Sequence, residues 1–504
     1  MNLAKNIENS ATYFPDRPAI IEGNRSISFK GLDMDASRVA SALAGLGCHP
    51  GDYICICRPN SYEWIAIYYG ILKAGCVAIT LAKDLRASEL IQIMNDARPK
   101  ILFTSDEKLQ DLGGIANLGY LEYVISNQGD ISYQKLVEGS SSDFKAVDRD
   151  RTDTAAILYS GGTTGLPKGI MLTHENLMTS IHNISHFERS THTDKALCFL
   201  PLHHGFAQIH ITGSSVYTGG CVVIQDSFNL GNAIDAIEQY NVTKFYAVPT
   251  IYVRFLAVKN IEERLKSLRY CFSAAASMAV EVLREWKSRT NLNIYESYGT
   301  TETAAMVTYN HYYRHVIGSV GTPVNTVEVQ IRDLEGNVVK QGEEGEICIC
   351  GPSIMKGYLN KPEETRSAFW DNWFRSGDIG VIDEAGYLYV VDRLKDLIIT
   401  GGENVYPREV EEVLYARPEV EECAVIGLPD REYGERVTAY IVLKQGYDLN
   451  PVALKSYLKL HLSSFKVAKE YIKIDELPKN ISGKILKREL KKNAINKLKG
   501  EGLA

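Results

Sequence analysis

Residues 159–169 read Tyr-Ser-Gly-Gly-Thr-Thr-Gly-Leu-Pro-Lys-Gly and combine the residue types that bind phosphate. Glycines lack Cβ atoms, so their backbone N–H groups can approach an anion closely. The hydroxyl groups add hydrogen-bond donors and the lysine adds positive charge. We interpret the segment as a phosphate-binding loop and expect chemistry on a polyphosphate. Its candidate ligands are Ser160, Gly161, Gly162, Thr163, Thr164, Gly165 and Lys168.

This loop differs from the two familiar nucleotide-binding loops. A Walker loop needs Gly-Lys followed by Ser or Thr, whereas Lys168 follows Pro167 and precedes Gly169. The segment does not match the dinucleotide fingerprint either. A flexible surface loop is the competing interpretation, but an apolar run precedes the segment. We expect the loop to join this buried strand to a helical segment.

A second polar group follows the strand-like run 293–296. Tyr298 could stack on a purine, the hydroxyls of Thr300 and Thr301 could reach phosphate, and Glu302 suits Mg²⁺. Ligands bind at the ends of strands in α/β sheets, which favours this interpretation. A core tyrosine followed by a helix-capping glutamate is the alternative, and the segment alone leaves both open.

Three further features are ambiguous when taken singly. The pair His203-His204 is more often structural than catalytic. Asp378 could bind a ribose diol or close a turn, and Lys484 lies in a turn-rich loop where most lysines are merely solvated. Each feature therefore needs support from the rest of the chain.

Composition limits the class of protein. The chain has 504 residues, of which 45% are hydrophobic and 23% charged, so two or more globular domains are expected. A net charge of -7 argues against a nucleic-acid-binding protein, although residues 479–499 are locally basic and could equally form a solvated helix face.

The ten cysteines include no C-x-x-C motif and alternate with isoleucine at Cys55/Cys57 and Cys348/Cys350, as small apolar strand residues do. We therefore expect a reduced, cytoplasmic setting and no zinc site. Residues 1–10 show no signal pattern, and Lys73 and Gly75 interrupt the most apolar window, so we expect neither secretion nor a membrane span.

The order of the predicted elements indicates an α/β fold. Helical and strand patterns alternate through the first hundred residues, with a capping box expected at Asn60 and Glu63 before one apolar helix. Further short strand candidates, bounded by polar or helical stretches, follow up to residue 296. From about residue 320 the pattern becomes antiparallel. After residues 392–395 it resets to a domain-sized α+β unit. We predict a large multi-sheet α/β domain at 1–394 and a small, mobile α+β lid domain at 395–504.

Taken together and in order, these segments resemble the adenylate-forming superfamily of acyl-CoA synthetases, luciferases and peptide-synthetase adenylation domains. The resemblance covers nearly the whole chain. Its most specific segments are residues 159–169, 298–302, 376–378, 392–396, 401–407 and 478–484.

The resemblance implies a role for each matched residue. Residues 160–168 would hold the β- and γ-phosphates of ATP, Tyr298 would stack on adenine and Thr301 would contact the α-phosphate. Glu302, with Thr163, would bind Mg²⁺. Lys484 would stabilise charge on the attacked α-phosphorus. The remaining ATP or AMP contacts implied are Ala275, Ala276, Ser297, Gly299, Thr300, Asp378 and Arg393.

The resemblance also implies an acyl site and a hinge. His204 and Ala274 would border the acyl site and the path of the thiol. The small domain would rotate about Lys395 and bring Gly401 and Gly402 to the site, where a pantetheine arm passes close to the backbone. The catalytic set is then Lys484, Glu302, Thr163 and His204.

Two departures from the family pattern bear on the acid. Residues 273–278 read Ser-Ala-Ala-Ala-Ser-Met where many relatives have glycines and a proline, so extra methyl groups could narrow the acyl pocket. Amino-acid-activating relatives carry an aspartate just after the position of His204, but Gly205-Phe206-Ala207-Gln208 has no anion. An uncharged acyl or aryl tail is therefore expected.

The resulting hypothesis is an Mg²⁺- and ATP-dependent acid–thiol ligase that makes acyl-CoA, AMP and pyrophosphate, in the area of fatty acid metabolism. The partners are a carboxylic acid and CoA, with no nucleic acid, and the sequence also allows a homodimer. Transfer to the phosphopantetheine of a carrier protein, a luciferase-like oxygenase and a non-catalytic binding protein are the alternatives.

Overall fold

The computed structural model describes residues 1–111, 118–160, 167–276, 278–400, 403–430, 433–479 and 485–500. Its helices carry the apolar periodicity of the sequence, as in α2, where Leu32, Ala36, Val39 and Leu43 are buried on one face. The α-helices are α1 Lys5–Tyr13, α2 Phe29–Gly45, α3 Tyr62–Lys73, α4 Ala87–Ala97, α5 Asp106–Asp111, α6 Tyr133–Glu138, α7 His174–Phe187, α8 Ser214–Thr218, α9 Leu230–Tyr240, α10 Pro249–Leu256, α11 Ile261–Arg264, α12 Val280–Thr290, α13 Pro362–Ser367, α14 Pro407–Tyr415, α15 Pro451–His461 and α16 Lys487–Gly500.

The strands are short and mostly apolar, and several are followed by helices. They are β1 Pro18–Glu22, β2 Arg25–Ser28, β3 Tyr53–Cys57, β4 Val77–Thr80, β5 Ile101–Thr104, β6 Tyr123–Ile125, β7 Thr154–Ser160, β8 Lys168–Thr173, β9 Lys195–Cys198, β10 Cys221–Ile224, β11 Lys244–Ala247, β12 Tyr270–Ser273, β13 Ile294–Glu296, β14 Thr308–Tyr309, β15 Thr322–Pro323, β16 Glu328–Arg332, β17 Gly345–Cys350, β18 Gly357–Tyr358, β19 Phe369–Trp370, β20 Trp373–Ile382, β21 Leu388–Arg393, β22 Ile398–Thr400, β23 Glu403–Val405, β24 Val420–Asp430, β25 Gly434–Leu443 and β26 Glu470–Lys473.

Two seven-stranded sheets form the large domain. The first has the order β13-β12-β11-β9-β10-β1-β2 and the second β18-β8-β7-β4-β3-β5-β6. Most neighbours are parallel, so both faces are covered and strands such as β3 are apolar on both sides. The prediction of an α/β domain from alternating helical and strand patterns is therefore confirmed for the large domain.

A two-stranded sheet, β14-β15, and two five-stranded sheets lie further along the chain, and we call the five-stranded sheets the third and the fourth. The third is antiparallel, with β16, β17, β20 and β21 in sequence and β19 also paired to β20. The fourth contains β22 to β26 and packs two apolar clusters, one drawn from residues 398–468 and one that joins β24 and β25 to Leu477, Leu490 and Ala494. The structure thus has a large multi-sheet domain and a smaller C-terminal domain, while the boundary between residues 394 and 395 stays a prediction.

The expected capping box at Asn60 and Glu63 is wrong. Helix α3 is instead capped by Ser61, whose hydroxyl accepts a hydrogen bond from the backbone N–H of Trp64 at 3.2 Å. Asn60 faces away from the helix, donates to the carbonyl of Leu200 and accepts from the N–H of Leu202, each at 2.8 Å. It therefore fixes the loop that leads to His203.

Among the described helices, none has a stretch long and apolar enough to cross a membrane.

Candidate active site

The glycine-rich loop joins two antiparallel strands, so the expectation that a helix follows it is wrong. Ser160 at the end of β7 lies opposite Lys168 at the start of β8, and Tyr159 lies opposite Gly169. Helix α7 begins only after β8, at His174. Of the predicted phosphate ligands, the five at 161–165 lie outside the described residues, and for Ser160 the backbone alone is described.

Lys168 and Glu302 are connected through a tyrosine. The ammonium of Lys168 lies 4.7 Å from the ring centroid of Tyr358, and the hydroxyl of Tyr358 donates to Oε1 of Glu302 at 3.1 Å. Burial, followed by the nearby charge of Glu302, raises the pKa of Tyr358 well above its usual value. The tyrosine is thus a neutral donor that orients the carboxylate predicted to bind the metal.

Sequence reasoning missed Tyr358, because it lies 56 residues beyond its partner Glu302 in a two-residue strand. Strand β18 pairs with β8, which places Tyr358 opposite Ile170. The backbone N–H of Met355 also donates to the carbonyl of Glu302 at 2.7 Å. A Gly-Tyr pair in a polar segment carries no sequence signal that could have identified this contact.

The predicted adenine and ribose residues lie together. The hydroxyl of Tyr298 donates to Oδ2 of Asp378 at 2.7 Å, and both residues are buried. Arg393 lies directly opposite Asp378 in the third sheet, with Nε 3.3 Å from Oδ1. Burial, with the charge of Asp378 next, raises the pKa of Tyr298 far above its usual value. These three residues form one polar edge that could hold a nucleoside.

The segment from Ser297 to Thr301 is fixed by close backbone packing. A Cβ atom on Gly299 would lie 1.7 Å from the carbonyl oxygen of Ala305, so only glycine fits there. The hydroxyl of Ser297 donates to the carbonyl of Thr308, and the N–H of Thr300 donates to the hydroxyl of Thr303 at 2.9 Å. Thr301 opens a short 3₁₀ helix that also contains Glu302.

Ala274, Ala275 and Ala276 follow strand β12 at its carboxyl end. Ala274 is buried, whereas Ala275 and Ala276 are exposed. Ala275 has φ +71°, a left-handed conformation that costs an alanine about 1 kcal/mol relative to glycine. The methyl groups of these three alanines, which we expected to narrow the acyl pocket, therefore lie at the carboxyl end of β12.

His204 lies at the entrance to a π-helix, Phe206–Gly213, a rare conformation that is frequent at functional sites. Its side chain is exposed, and its Nδ1 accepts a hydrogen bond from the N–H of Phe206 at 3.3 Å. Burial and the neighbouring His204 lower the pKa of His203 to about 3, so that ring is neutral at physiological pH. His204 is thus the member of the pair that faces solvent.

Asp392 and Glu296 of the large domain both interact with Arg408 of the small domain. Oδ2 of Asp392 accepts from the N–H of Arg408 at 2.8 Å, in the first turn of α14. Glu296, at the end of β13, accepts from the N–H of Met278 through one oxygen, while its buried Oε2 has no partner among the described residues. Burial raises the pKa of Glu296 to about 7, although Arg408 of the small domain acts to lower it.

The hinge and the predicted catalytic lysine are described only in part. The backbone of Lys395 lies in the 3₁₀ turn Leu394–Asp396, between the third and fourth sheets. Lys484, Gly401 and Gly402 lie outside the described residues. On either side of residues 480–484, Lys479 forms an ion pair with Glu422 at 2.6 Å and Lys487 forms one with Glu411 at 2.8 Å.

Comparison with known proteins identifies relatives over the whole chain. A family model described as AMP-binding enzyme matches residues 7–359, and one for the AMP-binding enzyme C-terminal domain matches residues 409–484. A long-chain-fatty-acid–CoA ligase of Bacillus subtilis is 31% identical over 96% of this chain and 93% of its own length. A feruloyl-CoA synthase of an Amycolatopsis species is 33% identical over 95% and 96%.

The solved structures agree with the sequence relatives. ATP-bound MatB from Rhodopseudomonas palustris superimposes with a TM-score of 0.92 at 33% identity, covering 98% of this chain and 99% of that one.

Proposed function

This chain belongs to the family of AMP-binding enzymes and is an ATP-dependent acid–CoA ligase, and we propose how its residues divide the reaction. In the first step a carboxylate oxygen attacks the α-phosphorus of ATP and pyrophosphate leaves. In the second step the thiol of CoA attacks the acyl carbon and AMP leaves with the oxygen that the acid supplied. The adenylate is needed because a free carboxylate has no adequate leaving group.

The contact between Lys168, Tyr358 and Glu302 carries this proposal. It connects Lys168, at the end of the phosphate-binding loop, to Glu302, which follows strand β13. Lys168 and the loop would hold the β- and γ-phosphates, which depart as pyrophosphate. Tyr298, Asp378 and Arg393 would hold the nucleoside, which stays until the thiol has attacked.

We assign Mg²⁺ to Glu302, with Thr163 as the second residue. Within the described parts of the chain no three His, Cys, Asp or Glu side chains converge on a metal site. A single oriented carboxylate suits Mg²⁺, which takes its other ligands from water and substrate phosphates. When bound, the ion would neutralise charge on the phosphates, while Tyr358 holds the carboxylate in place.

The small domain would supply different residues to the active site in the two steps. Lys484 would stabilise charge on the α-phosphorus, and rotation about Lys395 would then replace it with Gly401 and Gly402, beside which the pantetheine arm passes. We place the domain boundary between residues 394 and 395 for this reason. His204, exposed beside the π-helix, would border the path of the thiol.

The acid is proposed to have an uncharged tail. The two relatives named above are a long-chain-fatty-acid–CoA ligase and a feruloyl-CoA synthase, so their names give a fatty acid and a feruloyl group as the acids. Both relatives use CoA by name, which favours CoA over a carrier protein as the acceptor. A cytoplasmic location and a homodimer remain predictions that fractionation and light scattering can test.

Acid-dependent release of pyrophosphate tests the assignment. A panel of short, medium, long-chain and aromatic acids is incubated with ATP and Mg²⁺, with CoA present or omitted. We expect at least one acid to drive conversion of ATP to AMP, with multiple turnovers only when CoA is present. If no acid does so, the ligase function is wrong; turnover with a carrier protein but not CoA would change the acceptor.

A further inference from the structure

Two cysteines meet where helix α2 ends and strand β4 begins. Cys48 follows α2, and Cys76 directly precedes β4. The thiol of Cys76 donates a hydrogen bond at 3.4 Å to the carbonyl of His49, the residue after Cys48. The thiol of Cys48 in turn hydrogen-bonds to the sulfur of Cys76. The ATP and CoA chemistry proposed above uses neither cysteine.

The backbone holds these two segments against each other. The N–H of Gly51 donates to the carbonyl of Gly75 at 2.9 Å. The N–H of Val77 donates to the carbonyl of Asp52, also at 2.9 Å. Gly75 has φ +75°, a conformation that suits glycine and bends the chain directly before Cys76. Hydrogen bonds from both neighbours of Cys76 therefore fix its sulfur beside the turn that contains Cys48.

The two thiols differ in how readily they ionise. The hydrogen bond with Cys76, together with the charge of Lys100, lowers the pKa of Cys48, and burial offsets part of this effect. Nζ of Lys100 donates to the carbonyl of Gly47 at 2.7 Å, which holds the charge beside Cys48. The hydrogen bond with Cys48, followed by burial, raises the pKa of Cys76 far above its usual value. Cys48 is therefore the member of the pair that ionises first.

Solvent also reaches Cys48 before Cys76. Cys48 keeps 8% of its surface exposed, whereas Cys76 has none. A small oxidant therefore meets the thiol that ionises more readily, and the thiolate is the form of cysteine that reacts. Cys55 and Cys57, two residues apart in β3, are wholly buried, and burial raises the pKa of both thiols. The Cys48–Cys76 pair is thus distinguished from this second pair by access and by charge.

We propose that Cys48 and Cys76 form a reversible disulfide bond in the presence of hydrogen peroxide. The sulfur of Cys48 attacks the O–O bond, forms an S–O bond and releases hydroxide, which takes up a proton to become water. The sulfur of Cys76 then attacks Cys48, so that the S–S bond forms, the S–O bond breaks and a second water leaves with the proton of Cys76. Two electrons pass from the two sulfurs to the peroxide. A dithiol reductant reverses the change.

The disulfide would close a loop that contains β3 and α3. A cross-link of this kind restricts the unfolded chain and stabilises the native state when the native geometry accommodates it. The backbone already holds the segments of Cys48 and Cys76 together. We therefore expect a higher thermal unfolding midpoint after oxidation, with return to the original value in dithiothreitol.

Peptide mapping under non-reducing conditions tests the inference on the unaltered protein. The protein is treated with hydrogen peroxide, free thiols are blocked with iodoacetamide, and the digest is analysed by mass spectrometry with and without dithiothreitol. We expect a cross-linked peptide pair that joins Cys48 to Cys76 and the loss of two of the ten free thiols. Cys55 and Cys57 should stay reduced.

Three variants assign the roles within the pair. In Cys76→Ser the reaction should stop at a sulfenic acid on Cys48, which dimedone traps. In Cys48→Ser the remaining thiol should stay reduced. Lys100→Ala should slow oxidation at pH 7 by about threefold or more, because loss of the cation raises the pKa of Cys48. Lys83→Ala, which removes an ion pair with Asp226 elsewhere in the large domain, is the matched control.

Four results would overturn the inference. The first is the absence of a Cys48–Cys76 peptide pair from the oxidised, unaltered protein, which decides the matter even if a variant fails to fold. The second is dimedone trapped on Cys76 in Cys48→Ser. The third is an equal oxidation rate in Lys100→Ala and Lys83→Ala, and the fourth is a lower unfolding midpoint after oxidation. None of these measurements depends on ligase activity, so a failure of the proposed function would leave the inference standing.

Discussion

At the scale of single residues, the orientation of Glu302 is the feature on which the ATP site depends most. One carboxylate oxygen accepts from Tyr358, and the backbone carbonyl of Glu302 accepts from Met355. Glu302 is the charged residue that we propose for Mg²⁺, so its carboxylate has to be held in a defined orientation. Tyr358 supplies this constraint without adding charge, and its aromatic face also attracts Lys168.

Tyr358→Phe removes the hydroxyl and keeps the ring. We expect the Mg²⁺ concentration for half-maximal pyrophosphate release to rise about 10-fold, because loss of a group that orients a metal ligand typically costs 10- to 100-fold. The measurement is a magnesium titration at saturating ATP. Tyr389→Phe, which removes a similar hydrogen bond to Asp383, is the matched control and should change nothing. An unchanged magnesium requirement in Tyr358→Phe would contradict the role.

At the scale of elements, Asp392 joins the last strand of the third sheet to the first helix of the small domain. Its carboxylate accepts from the N–H of Arg408, so a residue of β21 satisfies an N–H in the first turn of α14. The side chain of Arg408 in turn donates to the carbonyl of Val390. These bonds cross the short turn that contains Lys395 and fix the start of the small domain.

Asp392→Ala should weaken this connection. Loss of the carboxylate that accepts from the N–H of Arg408 in the first turn of α14 costs about 1 kcal/mol. We expect faster proteolytic cleavage between residues 394 and 403 and a lower thermal unfolding midpoint. Asp383→Ala removes the equivalent bonds from a turn in the large domain and should leave cleavage at the junction unchanged. Equal cleavage in both variants would contradict the role of Asp392.

The sequence predicted most elements but not all of the contacts between them. Buried strands such as β3, β5, β10 and β12 follow their apolar runs, because local pattern and burial agree. The glycine-rich loop was assigned to a strand–helix connection, but β8 pairs with β7 and tertiary pairing decided the conformation after Lys168. Asn60 was expected to cap a helix, yet its partners Leu200 and Leu202 lie 140 residues away or more.

In the candidate site, too, residues in recognisable motifs were predicted and contacts between distant segments were not. Tyr298, Asp378 and Arg393 were predicted from the family resemblance, and the structure brings them together. Tyr358 and the buried contacts of Glu188 with His210 and Lys244 were missed, because these contacts form only when distant segments meet. No single-sequence signal distinguishes Glu188 from an ordinary solvated glutamate, although it is fully buried against His210 and Lys244.

At the scale of the whole molecule, Glu296 connects domain arrangement to pH. Its pKa is raised to about 7 by burial, while Arg408 of the small domain partly offsets this effect. The folded protein therefore binds a proton between about pH 4.5 and 7 that the unfolded chain releases. Stability from this group is fully present below about pH 4.5 and is lost as the pH rises through 7.

Glu296→Gln should reveal this dependence. The neutral amide avoids ionisation, so the variant should match the unaltered protein near pH 5 and exceed it in stability at pH 8 by at most about 3 kcal/mol. Thermal unfolding midpoints from pH 5 to 8 give the comparison. Glu346→Gln, where the buried carboxylate is paired with Arg375, should instead destabilise the protein. A variant less stable than the unaltered protein at pH 8 would contradict the account.

Domain rotation makes a separate prediction for Lys484. Lys484→Ala should abolish adenylate formation, by about 100-fold or more, but leave attack of CoA on supplied acyl-adenylate largely intact. Single-turnover assays of each half-reaction measure the two effects. The matched control is Lys479→Ala, which removes a part-buried ion pair with Glu422 close in sequence to Lys484. Equal loss of both half-reactions in Lys484→Ala would contradict separate use of the small domain.

The fate of the carboxylate oxygen tests the central claim most directly. An accepted acid labelled with ¹⁸O in both carboxylate oxygens is converted in the presence of ATP, Mg²⁺ and CoA, and the products are examined by mass spectrometry. If the carboxylate attacks the α-phosphorus, each AMP carries one ¹⁸O and pyrophosphate carries none. Label in inorganic phosphate, with ADP as the nucleotide product, would show attack on the γ-phosphorus and contradict the mechanism.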